Sequence, residues 1–461
     1  MSETRARTAG PDPAVTGSRA ERVIERLLVI HPRGHDLTLD RIARVLSRLG
    51  DPHLALPPVI HAAGTNGKGS TVAMARAMLE ADGRAVHVHT SPHLVNWHER
   101  FRIGRRDAPG ALVADDALAD ALLRVERANG GGAITVFEIV TAAAFLLFAE
   151  TPADATIVEV GLGGRFDATN VIREPAAAAA AMIGLDHQQW LGDTREAIAA
   201  EKAGIFKPGC PAVIGHQPHD GARDVLESEA ARRGAPAILY GTDFMAHAER
   251  GRMVFQSMGS DTDGGGLMDL PLPALSGRHQ IANAALAIAA LGAAGLLPPE
   301  RAVAAGLAGV QWPGRMQAMP SGPLRALAAD AEIWLDGGHN PAAARVVAEA
   351  LVALEERNPR PLVIVAGMLE PKDAVRWFEP FRGLAGQVYT VPVPGTEAGH
   401  EPAALAAHAI DAGLIARPVA SLEAALERIA KSCRSDPPRI LIGGSLYLVG
   451  DALRRNGSAP R

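Results

Sequence analysis

Short apolar runs alternate with helical patterns through most of the chain, and this alternation restricts the possible fold more than any other feature. The first apolar runs are Pro58–Ala63, Ala85–His89, Thr156–Val160 and Ala179–Leu185, with helical patterns at Ser70–Ala81 and Thr135–Ala149. Runs this short, bounded by polar or glycine residues, are typical of strands buried on both faces of a parallel sheet. The sequence therefore predicts an α/β fold with helices on both faces of the sheet.

A second series of strands and helices follows the Leu297-Pro298-Pro299 break. Its strand candidates are Glu332–Leu335, Leu362–Ala366, Gln387–Val391 and Arg439–Ile442, and its helical stretches are Ala342–Glu356, Glu401–Ala412 and Ser421–Lys431. A chain of 461 residues is too long for one hydrophobic core. We expect two domains that meet near Gly309–Pro313, and a surface turn at Gly264–Gly266.

Composition excludes several classes of protein. The formal net charge is −5 without a block of like charges, so we expect no nucleic-acid-binding surface. The longest apolar stretch, around Ala142–Ala149, is too short to cross a bilayer, and residues 1–20 lack the apolar segment of a signal peptide. Cys210 and Cys433 do not make a disulfide framework or a zinc site. We expect a cytoplasmic monomer that does not bind membranes, with a loose tail at residues 1–20.

A glycine-rich loop stands between the strand Pro58–Ala63 and the helix Ser70–Ala81. It consists of Gly64, Thr65, Asn66, Gly67, Lys68, Gly69, Ser70 and Thr71. Glycines let backbone N–H groups point at phosphate oxygens, the helix N-terminus adds positive potential, and Lys68 adds a full charge. The common P-loop pattern has Gly at position 62 and Ser or Thr at position 69, where this chain has Ala62 and Gly69.

The order of strand, loop, lysine and helix favours a variant phosphate loop over a glycine-rich turn with a solvated lysine. We therefore predict a P-loop-type, ATP-binding parallel-sheet domain at residues 21–310. A smaller, Rossmann-like α/β domain follows it at residues 311–461.

Two polar residues follow strands that lie near the loop in the predicted sheet. Glu159 lies near the carboxyl end of Thr156–Val160, and His187 follows Ala179–Leu185. Ligands of open parallel sheets bind at the carboxyl ends of the strands, so both residues are expected to converge on the loop. A carboxylate there is a natural ligand for a magnesium ion that bridges ATP oxygens. The alternatives are a surface or capping role for Glu159 and, because magnesium prefers oxygen, a role other than metal binding for His187.

Lys202 lies on an apolar helical face. Asp193 and Glu196 have the spacing of a capping box, so a helix is expected to start there. On that helix, Ile198, Lys202 and Ile205 share one face. A lysine in such a stripe either extends to water or is buried with a lowered pKa. A buried neutral amine can take up carbon dioxide and become a carbamate, which resembles a carboxylate as a metal ligand.

The second predicted domain repeats the arrangement of a strand end beside a helix N-terminus. Asp336 and His339 follow the strand Glu332–Leu335 at the start of a helix that Pro341 opens. Arg315 lies near the predicted domain junction. This is again a site where a strand end meets a helix N-terminus, as at the glycine-rich loop.

Several motifs occur in order along the chain. They are GTNGKGS at Gly64–Ser70, TSPHL at Thr90–Leu94, EVGLGGRFDATNV at Glu159–Val171, LDH at Leu185–His187, EKAGIFKPG at Glu201–Gly209, WPGRMQ at Trp312–Gln317, LDGGHNP at Leu335–Pro341 and GSLYLVG at Gly444–Gly450. Together they closely resemble the folylpolyglutamate synthase and dihydrofolate synthase family of the Mur-ligase superfamily. The resemblance extends from about residue 21 to about residue 455.

The resemblance implies an ATP-dependent ligase that adds L-glutamate to dihydropteroate, to reduced folates or to both, through an acyl-phosphate intermediate. The catalytic residues that it implies are Lys68, Glu159, His187 and Lys202. Two Mg²⁺ sites are implied, with ligands from Ser91, Glu159, His187 and Lys202 as a carbamate. Nucleotide contacts are implied for Asn283, Arg315 and Asp336, and substrate contacts for His339 and Ser445. For the segment Gly277–Asn283, a plain helix start is the alternative.

The acceptor substrate stays open. The segment His31–Gly50 resembles the pterin-side loop and helix of bacterial members, but Thr38 stands where the family is expected to have Gly or Ser. The alternatives are a monofunctional folylpolyglutamate synthase, a Mur-type peptidoglycan ligase and a nucleotide-binding protein without ligase activity. About 60 residues precede the loop, which is too few for the extra domain of a peptidoglycan ligase. Pure nucleotide binding does not require Lys68, Glu159, His187 and Lys202 together.

Overall fold

An eight-stranded sheet forms the centre of the N-terminal unit in the computed structural model, which describes residues 17–30, 38–258, 266–396, 398–433 and 436–460. Its strands are β1 (Val59–Ala63), β2 (Val86–His89), β3 (Phe101–Arg105), β4 (Ala108–Leu112), β5 (Ala155–Glu159), β6 (Ala177–Ala180), β7 (Ala212–Ile214) and β8 (Ala237–Leu239). The strand order is β4-β3-β2-β5-β1-β6-β7-β8. From β2 to β8 in this order the strands are parallel, and β3 and β4 form an antiparallel hairpin at one edge.

Helices cover both faces of this sheet. They are α1 (Arg19–Ile30), α2 (Asp40–Arg48), α3 (Lys68–Ala81), α4 (Asp115–Asn129), α5 (Val136–Ala149), α6 (Gln188–Leu191), α7 (Arg195–Lys202), α8 (Asp220–Arg233), α9 (His279–Ala293) and α10 (Glu300–Gly309). One apolar core contains α3, α9 and α10, and a second contains α1, α2, α4 and α5. The two cores lie on opposite faces of the sheet, because Ile60 and Ala62 of β1 point into the first and Val59 into the second. The predicted parallel sheet with helices on both faces is confirmed.

A small antiparallel sheet, which the sequence analysis did not predict, packs against α9. Its strands are β9 (Phe244–Glu249), β10 (Arg252–Ser257) and β11 (Leu267–Pro271). Met253, Phe255 and Leu270 bury their side chains in the core that contains α3 and α9. The predicted turn at Gly264–Gly266 lies outside the described residues, except for Gly266.

The C-terminal unit contains a six-stranded sheet with the order β12-β13-β17-β14-β15-β16. Its strands are β12 (Gln317–Ala318), β13 (Glu332–Asp336), β14 (Leu362–Ala366), β15 (Ala385–Thr390), β16 (Ala416–Pro418) and β17 (Arg439–Gly443). Its helices are α11 (Pro323–Ala326), α12 (Pro341–Arg357), α13 (Ala374–Phe378), α14 (Pro402–Asp411), α15 (Leu422–Ser432) and α16 (Leu446–Arg455). Every strand pair except β12–β13 is parallel, which confirms the second α/β unit.

Two predicted boundaries near the ends of elements are wrong. The strand predicted to run to Leu185 ends at Ala180, because the chain then crosses the glycine-rich loop, where the Met182 carbonyl accepts the N–H groups of Thr65 and Asn66. The tail predicted for residues 1–20 includes the start of α1, where Ala20 is fully buried. Residues 1–16 lie outside the described residues, as do residues 31–37 of the segment that resembles the pterin-side loop. The domain extents 21–310 and 311–461 stay a prediction.

No helix in the described ranges is both long and apolar enough to cross a lipid bilayer.

The helix that follows the glycine-rich loop packs unusually closely against α10. A Cβ atom added at Gly306 of α10 would lie 2.5 Å from the Cα and backbone N atoms of Met78 in α3. These atoms belong to the backbone, so no side-chain rotation can relieve the contact. The absence of a side chain at Gly306 therefore fixes the distance between α10 and the helix that carries the loop.

We expect Gly306→Ala to destabilise the fold by about 1–3 kcal/mol, because the added methyl group forces α10 away from α3. Gly309→Ala at the end of the same helix is the matched control, since a Cβ there meets no atom within 4 Å. Urea unfolding measures both variants. Equal stability of the two would show that the close approach of the helices is not a constraint.

Candidate active site

The glycine-rich loop is shaped by contacts that a side chain would prevent. A Cβ at Gly64, whose φ is 150°, would lie 2.8 Å from the Cβ of Ala181, and Gly67 precedes α3 with a φ of 89°. The Lys68 ammonium donates hydrogen bonds to the carbonyl oxygens of Gly64, at 2.9 Å, and Thr65, at 3.3 Å. The loop thus holds the lysine charge over its own backbone at the N-terminus of α3. This is the geometry expected of a phosphate-binding loop.

A cleft of about 590 Å³ lies between the two units, with the loop on one wall. The predicted residues that line it are Gly64, Thr65, Asn66, Gly67, Lys68, Gly69, Ser70, Ser91, Glu159, His187, Lys202, Asn283, Arg315, Asp336 and His339. Thr71 and Ser445 are both described but do not line it. The structure therefore brings most of the predicted site together from two sheets that are far apart in the sequence.

Glu159 and Ser91 form a buried polar pair beside the loop. The backbone N–H of Ser91 donates to Glu159 Oε2 at 3.4 Å. Burial raises the pKa of Glu159, whereas the positive charge of Lys68, the Ser91 hydrogen bond and Arg315 act in the opposite direction. The Ser91 hydroxyl is buried and has no hydrogen-bond partner among the described residues. A carboxylate beside an unsatisfied hydroxyl oxygen fits a hard divalent cation, which prefers oxygen ligands.

His187 reaches the cleft by a different route from the one predicted. Because β6 ends at Ala180, His187 follows a loop rather than a strand end, and it precedes α6 with a φ of 52°. Its side chain is 45% exposed, and Nε2 lies 4.0 Å from Asp186 Oδ1. Burial of the imidazole, followed by the nearby charges of Lys372, His339 and Lys202, lowers its pKa to about 4 despite Asp186. Within the described ranges, no three His, Cys, Asp or Glu side chains form a group that could hold a metal ion.

Lys202 is buried at the end of α7, and 6% of it is exposed. The lysine side chain therefore does not extend to water. Burial, followed by the charge of Lys68, lowers its pKa to about 7 from a usual 10.5. The cap of α7 differs from the prediction, since the Thr194 hydroxyl, rather than Asp193, accepts the N–H of Ala197. Ile205 lies beyond the helix in a 3₁₀ turn, but it is buried as predicted.

Asp186 connects the two units, and the sequence analysis missed it. Its carboxylate lies 2.5 Å from the Lys372 ammonium, accepts a hydrogen bond from Asn340 Nδ2 at 3.1 Å and lies 3.4 Å from His339 Nε2. Burial alone would raise the pKa of Asp186, but the His339 hydrogen bond and the charges of His339 and Lys372 hold it well below its usual range. A second link joins the side chains of Asn66 and Asn340 through hydrogen bonds of 3.1 and 3.0 Å. The motif LDH was the available signal, but only its histidine was assigned.

Asp336 organises the turn on the C-terminal wall of the cleft. Its carboxylate accepts the backbone N–H groups of Met316, at 2.9 Å, and Gly338, at 2.7 Å. Burial raises its pKa, and Arg315 and these N–H groups counteract the effect. Arg315 itself donates to the Gly314 carbonyl at 3.1 Å. Both side chains thus lie where the junction segment meets the end of β13.

Asn283 and Ser445 both make local structural contacts, and their roles in binding nucleotide and substrate stay predictions. Asn283 lies in α9, donates to Gln280 Oε1 at 2.9 Å and packs so closely on Gly67 that a Cβ there would lie 2.4 Å from Asn283 Oδ1. The segment before Asn283 therefore starts a helix, as the alternative interpretation predicts, and Asn283 also lines the cleft. Ser445 caps α16, because its hydroxyl accepts the N–H of Tyr447 at 3.1 Å. Its neighbour Leu446 lines the cleft.

Comparison with known proteins gives two matches to family models that together span most of the chain. Residues 62–291 match the Mur ligase middle domain, and residues 314–446 match the Mur ligase, glutamate ligase domain. The dihydrofolate synthase/folylpolyglutamate synthase of Escherichia coli (strain K12) is 35% identical over 366 residues, which cover 79% of this chain and 80% of that protein.

Solved structures agree with this match. The structure of E. coli FolC in complex with DHPP and ADP superposes with a TM-score of 0.83 at 31% identity and covers 96% of this chain and 98% of that one. A bifunctional folylpolyglutamate synthase/dihydrofolate synthase with Mn, AMPPNP and L-glutamate bound gives a TM-score of 0.79 at 32% identity, with coverages of 95% and 98%.

The low pKa of Lys202 should make the free energy of unfolding depend on pH. Above pH 10.5 the amine is neutral in both states; between about 7 and 10.5 the unfolded chain carries a proton that the folded protein lacks. The stability of the wild type should therefore rise with pH across this window, by at most about 1.4 kcal/mol per pH unit from this group. Lys202→Met lacks this contribution, so its stability relative to wild type should be highest near pH 7 and fall towards pH 10.5.

Urea unfolding in metal-free, carbon-dioxide-free buffer measures the difference. Lys431→Met is the control, because the Lys431 side chain is 73% exposed rather than buried. A pH-independent difference between Lys202→Met and wild type would contradict burial of an uncharged amine.

Proposed function

Because the chain belongs to the dihydrofolate synthase/folylpolyglutamate synthase family of Mur ligases, we propose that it is an ATP-dependent ligase that joins L-glutamate to the carboxylate of a dihydropteroate or folate acceptor. The observation that carries this proposal is the cleft itself. The glycine-rich loop with Lys68 lies on one wall of the cleft, and Arg315 and Asp336 of the second unit lie on the opposite wall. A nucleotide between the units is in reach of both.

The reaction has two steps. An oxygen of the acceptor carboxylate attacks the γ-phosphorus of ATP, the bond to the β–γ bridging oxygen breaks, and ADP leaves with the electron pair. The amine of L-glutamate then attacks the carbonyl carbon of the acyl phosphate. The tetrahedral intermediate expels inorganic phosphate, and the nitrogen loses a proton to leave an amide.

The chain contributes mainly position and charge to these steps. The N–H groups at the start of α3 and the Lys68 ammonium hold the phosphates, and Arg315 neutralises negative charge from the opposite wall. Asp186, Lys372 and Asn340 keep the units together, so that water is excluded while the acyl phosphate exists. His339 hydrogen-bonds to the Gly337 carbonyl and lies beside Asp186, at the position we assign to the substrate.

We assign two sites for divalent cations, with Mg²⁺ as the natural ion. Their ligands come from Ser91, Glu159, His187 and a carbamate on Lys202. The unsatisfied Ser91 hydroxyl and the buried position of Glu159 beside it support the first two ligands. When bound, such an ion neutralises phosphate charge.

The carbamate follows from the state of the Lys202 amine. A pKa near 7 leaves a large neutral fraction at physiological pH, and its nitrogen lone pair can attack carbon dioxide with release of one proton. The product is an anion in place of a buried amine whose charged form burial disfavours.

The acceptor is dihydropteroate, a folate or both. Thr38 does not settle this choice, since its hydroxyl accepts the N–H of Asp40 and so serves the start of α2. Parallel assays of purified protein with ATP and L-glutamate against dihydropteroate and tetrahydrofolate distinguish a bifunctional enzyme from a monofunctional one. A nucleotide-binding protein without ligase activity would use neither acceptor.

We further propose that the enzyme is a cytoplasmic monomer that binds no nucleic acid. The free thiols of Cys210 and Cys433 fit a reducing compartment, and the net charge of −5 disfavours polyanions.

We expect Lys68→Ala to reduce ligation by at least about 100-fold while the fold stays intact, because it removes the positive charge that the glycine-rich loop holds at the start of α3, where the phosphates bind. Lys431→Ala, on the exposed face of α15, is the control for loss of one lysine. ADP release in the presence of acceptor and glutamate measures both. Turnover of Lys68→Ala within a few fold of wild type would rule out the phosphate-loop assignment.

For the carbamate, we expect Lys202→Ala to lose activity and to recover part of it with acetate or formate, which can occupy the vacated anionic position. Lys68→Ala should show no such recovery and serves as the control. Mass spectrometry of the intact wild-type protein, kept in buffer that contains carbon dioxide, should also detect the added mass of the carbamate. If Lys202 is unmodified and neither acid restores activity, the carbamate role is wrong, whereas the ligase assignment is unaffected.

A further inference from the structure

Two asparagine side chains join the glycine-rich loop directly to the second unit. Asn66 Nδ2 donates to Asn340 Oδ1 at 3.1 Å, and Asn340 Nδ2 donates to Asn66 Oδ1 at 3.0 Å. Asn66 lines the cleft, and only 3% of Asn340 is exposed. The two amides therefore form a closed pair of reciprocal hydrogen bonds between the units.

Two further contacts fix the orientation of the Asn340 amide. Its Oδ1 also accepts the N–H of Ala343 at 2.9 Å, as the N-cap of α12, and its Nδ2 also donates to Asp186 Oδ2 at 3.1 Å. All four hydrogen-bonding positions of the amide are thus occupied. A flipped amide would turn its oxygen towards the Asp186 carboxylate. Asn66 therefore meets one donor and one acceptor in a fixed arrangement, which its own amide matches.

Each asparagine lies beside a residue to which we assign a part in the reaction. Asn66 lies two residues before Lys68, in the loop assigned to the phosphates. Asn340 directly follows His339, which we assign to the substrate. A residue that only capped α12 would need no partner in the loop. The pair therefore fixes the position of the turn that carries His339 relative to the phosphate loop.

This relative position matters most after ATP has been consumed. The acyl phosphate persists until the amine attacks its carbonyl carbon, and water competes for the same atom. Attack by water breaks the bond between that carbon and the bridging oxygen, and it yields the free carboxylate, inorganic phosphate and one proton. A shift of the turn slows the amine, which must be positioned, more than it slows water.

We propose that Asn66 and Asn340 are a positioning pair that couples the consumption of ATP to the formation of the amide. They hold the turn that carries His339 against the phosphate loop, so that the amine reaches the acyl phosphate before water does. This inference rests on the proposed ligase function.

The number of ADP molecules released per amide tests this proposal. Asn340→Ser keeps a hydroxyl that can cap α12 but is too short to form the pair. We expect kcat for amide formation to fall about 5- to 100-fold, the range for loss of two neutral hydrogen bonds, with little change in KM for ATP. The variant should release more than one ADP per amide and the wild type one, with ADP measured by a coupled assay and the amide by chromatography.

Ser421→Ala is the matched control for loss of a helix cap. The Ser421 hydroxyl accepts the Ala424 N–H at 3.2 Å and caps α15 in the same unit. Its removal lowers stability without changing the pair, so this variant should still release one ADP per amide.

Asn66→Ala breaks the pair from the side of the loop and leaves the α12 cap in place, which covers the case in which Asn340→Ser does not fold. It should also release more than one ADP per amide. In the double variant, the amide rate should equal that of the slower single variant, because the pair can be lost only once. Losses that multiply would show that the two residues act independently and would overturn the proposal.

Other outcomes also decide the matter. Slow amide formation that still releases one ADP per amide would overturn the proposal, as would a rise in KM for ATP that accounts for the whole loss. Extra ADP that appears without acceptor would mean that water attacks ATP rather than the acyl phosphate, which would also overturn it. If the wild type forms no amide with any acceptor, the proposed function itself is refuted.

Discussion

The ion pair between Asp186 and Lys372 is the contact on which the candidate site depends. It joins side chains from two units across 2.5 Å, in a position where 9% of Asp186 and 14% of Lys372 are exposed. Asn340 and His339 add a hydrogen bond and a second positive partner from the same side. Partial burial makes such a pair stronger than one on the surface, but it also makes loss of either partner costly. These contacts help to hold the two walls of the cleft face to face.

Burial shifts the titrating groups of the cleft towards their neutral forms. It raises the pKa values of Glu159 and Asp336 and lowers that of Lys202. These groups therefore carry less charge in the free protein than the same residues would in water. Phosphate groups and cations that enter the cleft favour the charged forms of the residues opposite to them, so ligand binding and protonation are linked.

Local sequence patterns predicted the structural features that are determined by residues close together in the chain. The strand–loop–helix around Lys68 was predictable because glycine, lysine and the helix start lie within a few positions of one another. Strands with continuous apolar runs, such as β14 (Leu362–Ala366), were predicted with their observed bounds. The sequence also indicated that Lys202 shares an apolar face with Ile198, and both are buried.

Contacts between distant parts of the chain were not predictable in this way. Asp186 and Lys372 are 186 positions apart, and the LDH motif that contains this aspartate does not indicate its partner in the second unit. The small sheet of β9–β11 was missed because its strands expose one face and lack continuous apolar runs.

The transfer of oxygen during turnover tests the central claim most directly, namely that this cleft activates a carboxylate as an acyl phosphate. An acceptor labelled with oxygen-18 in its reacting carboxylate is incubated with ATP, L-glutamate and the enzyme, and the inorganic phosphate is analysed by mass spectrometry. The account predicts that the phosphate carries one labelled oxygen per turnover, because the attacking carboxylate oxygen leaves with the phosphorus. Ligation that yields unlabelled phosphate would contradict the account.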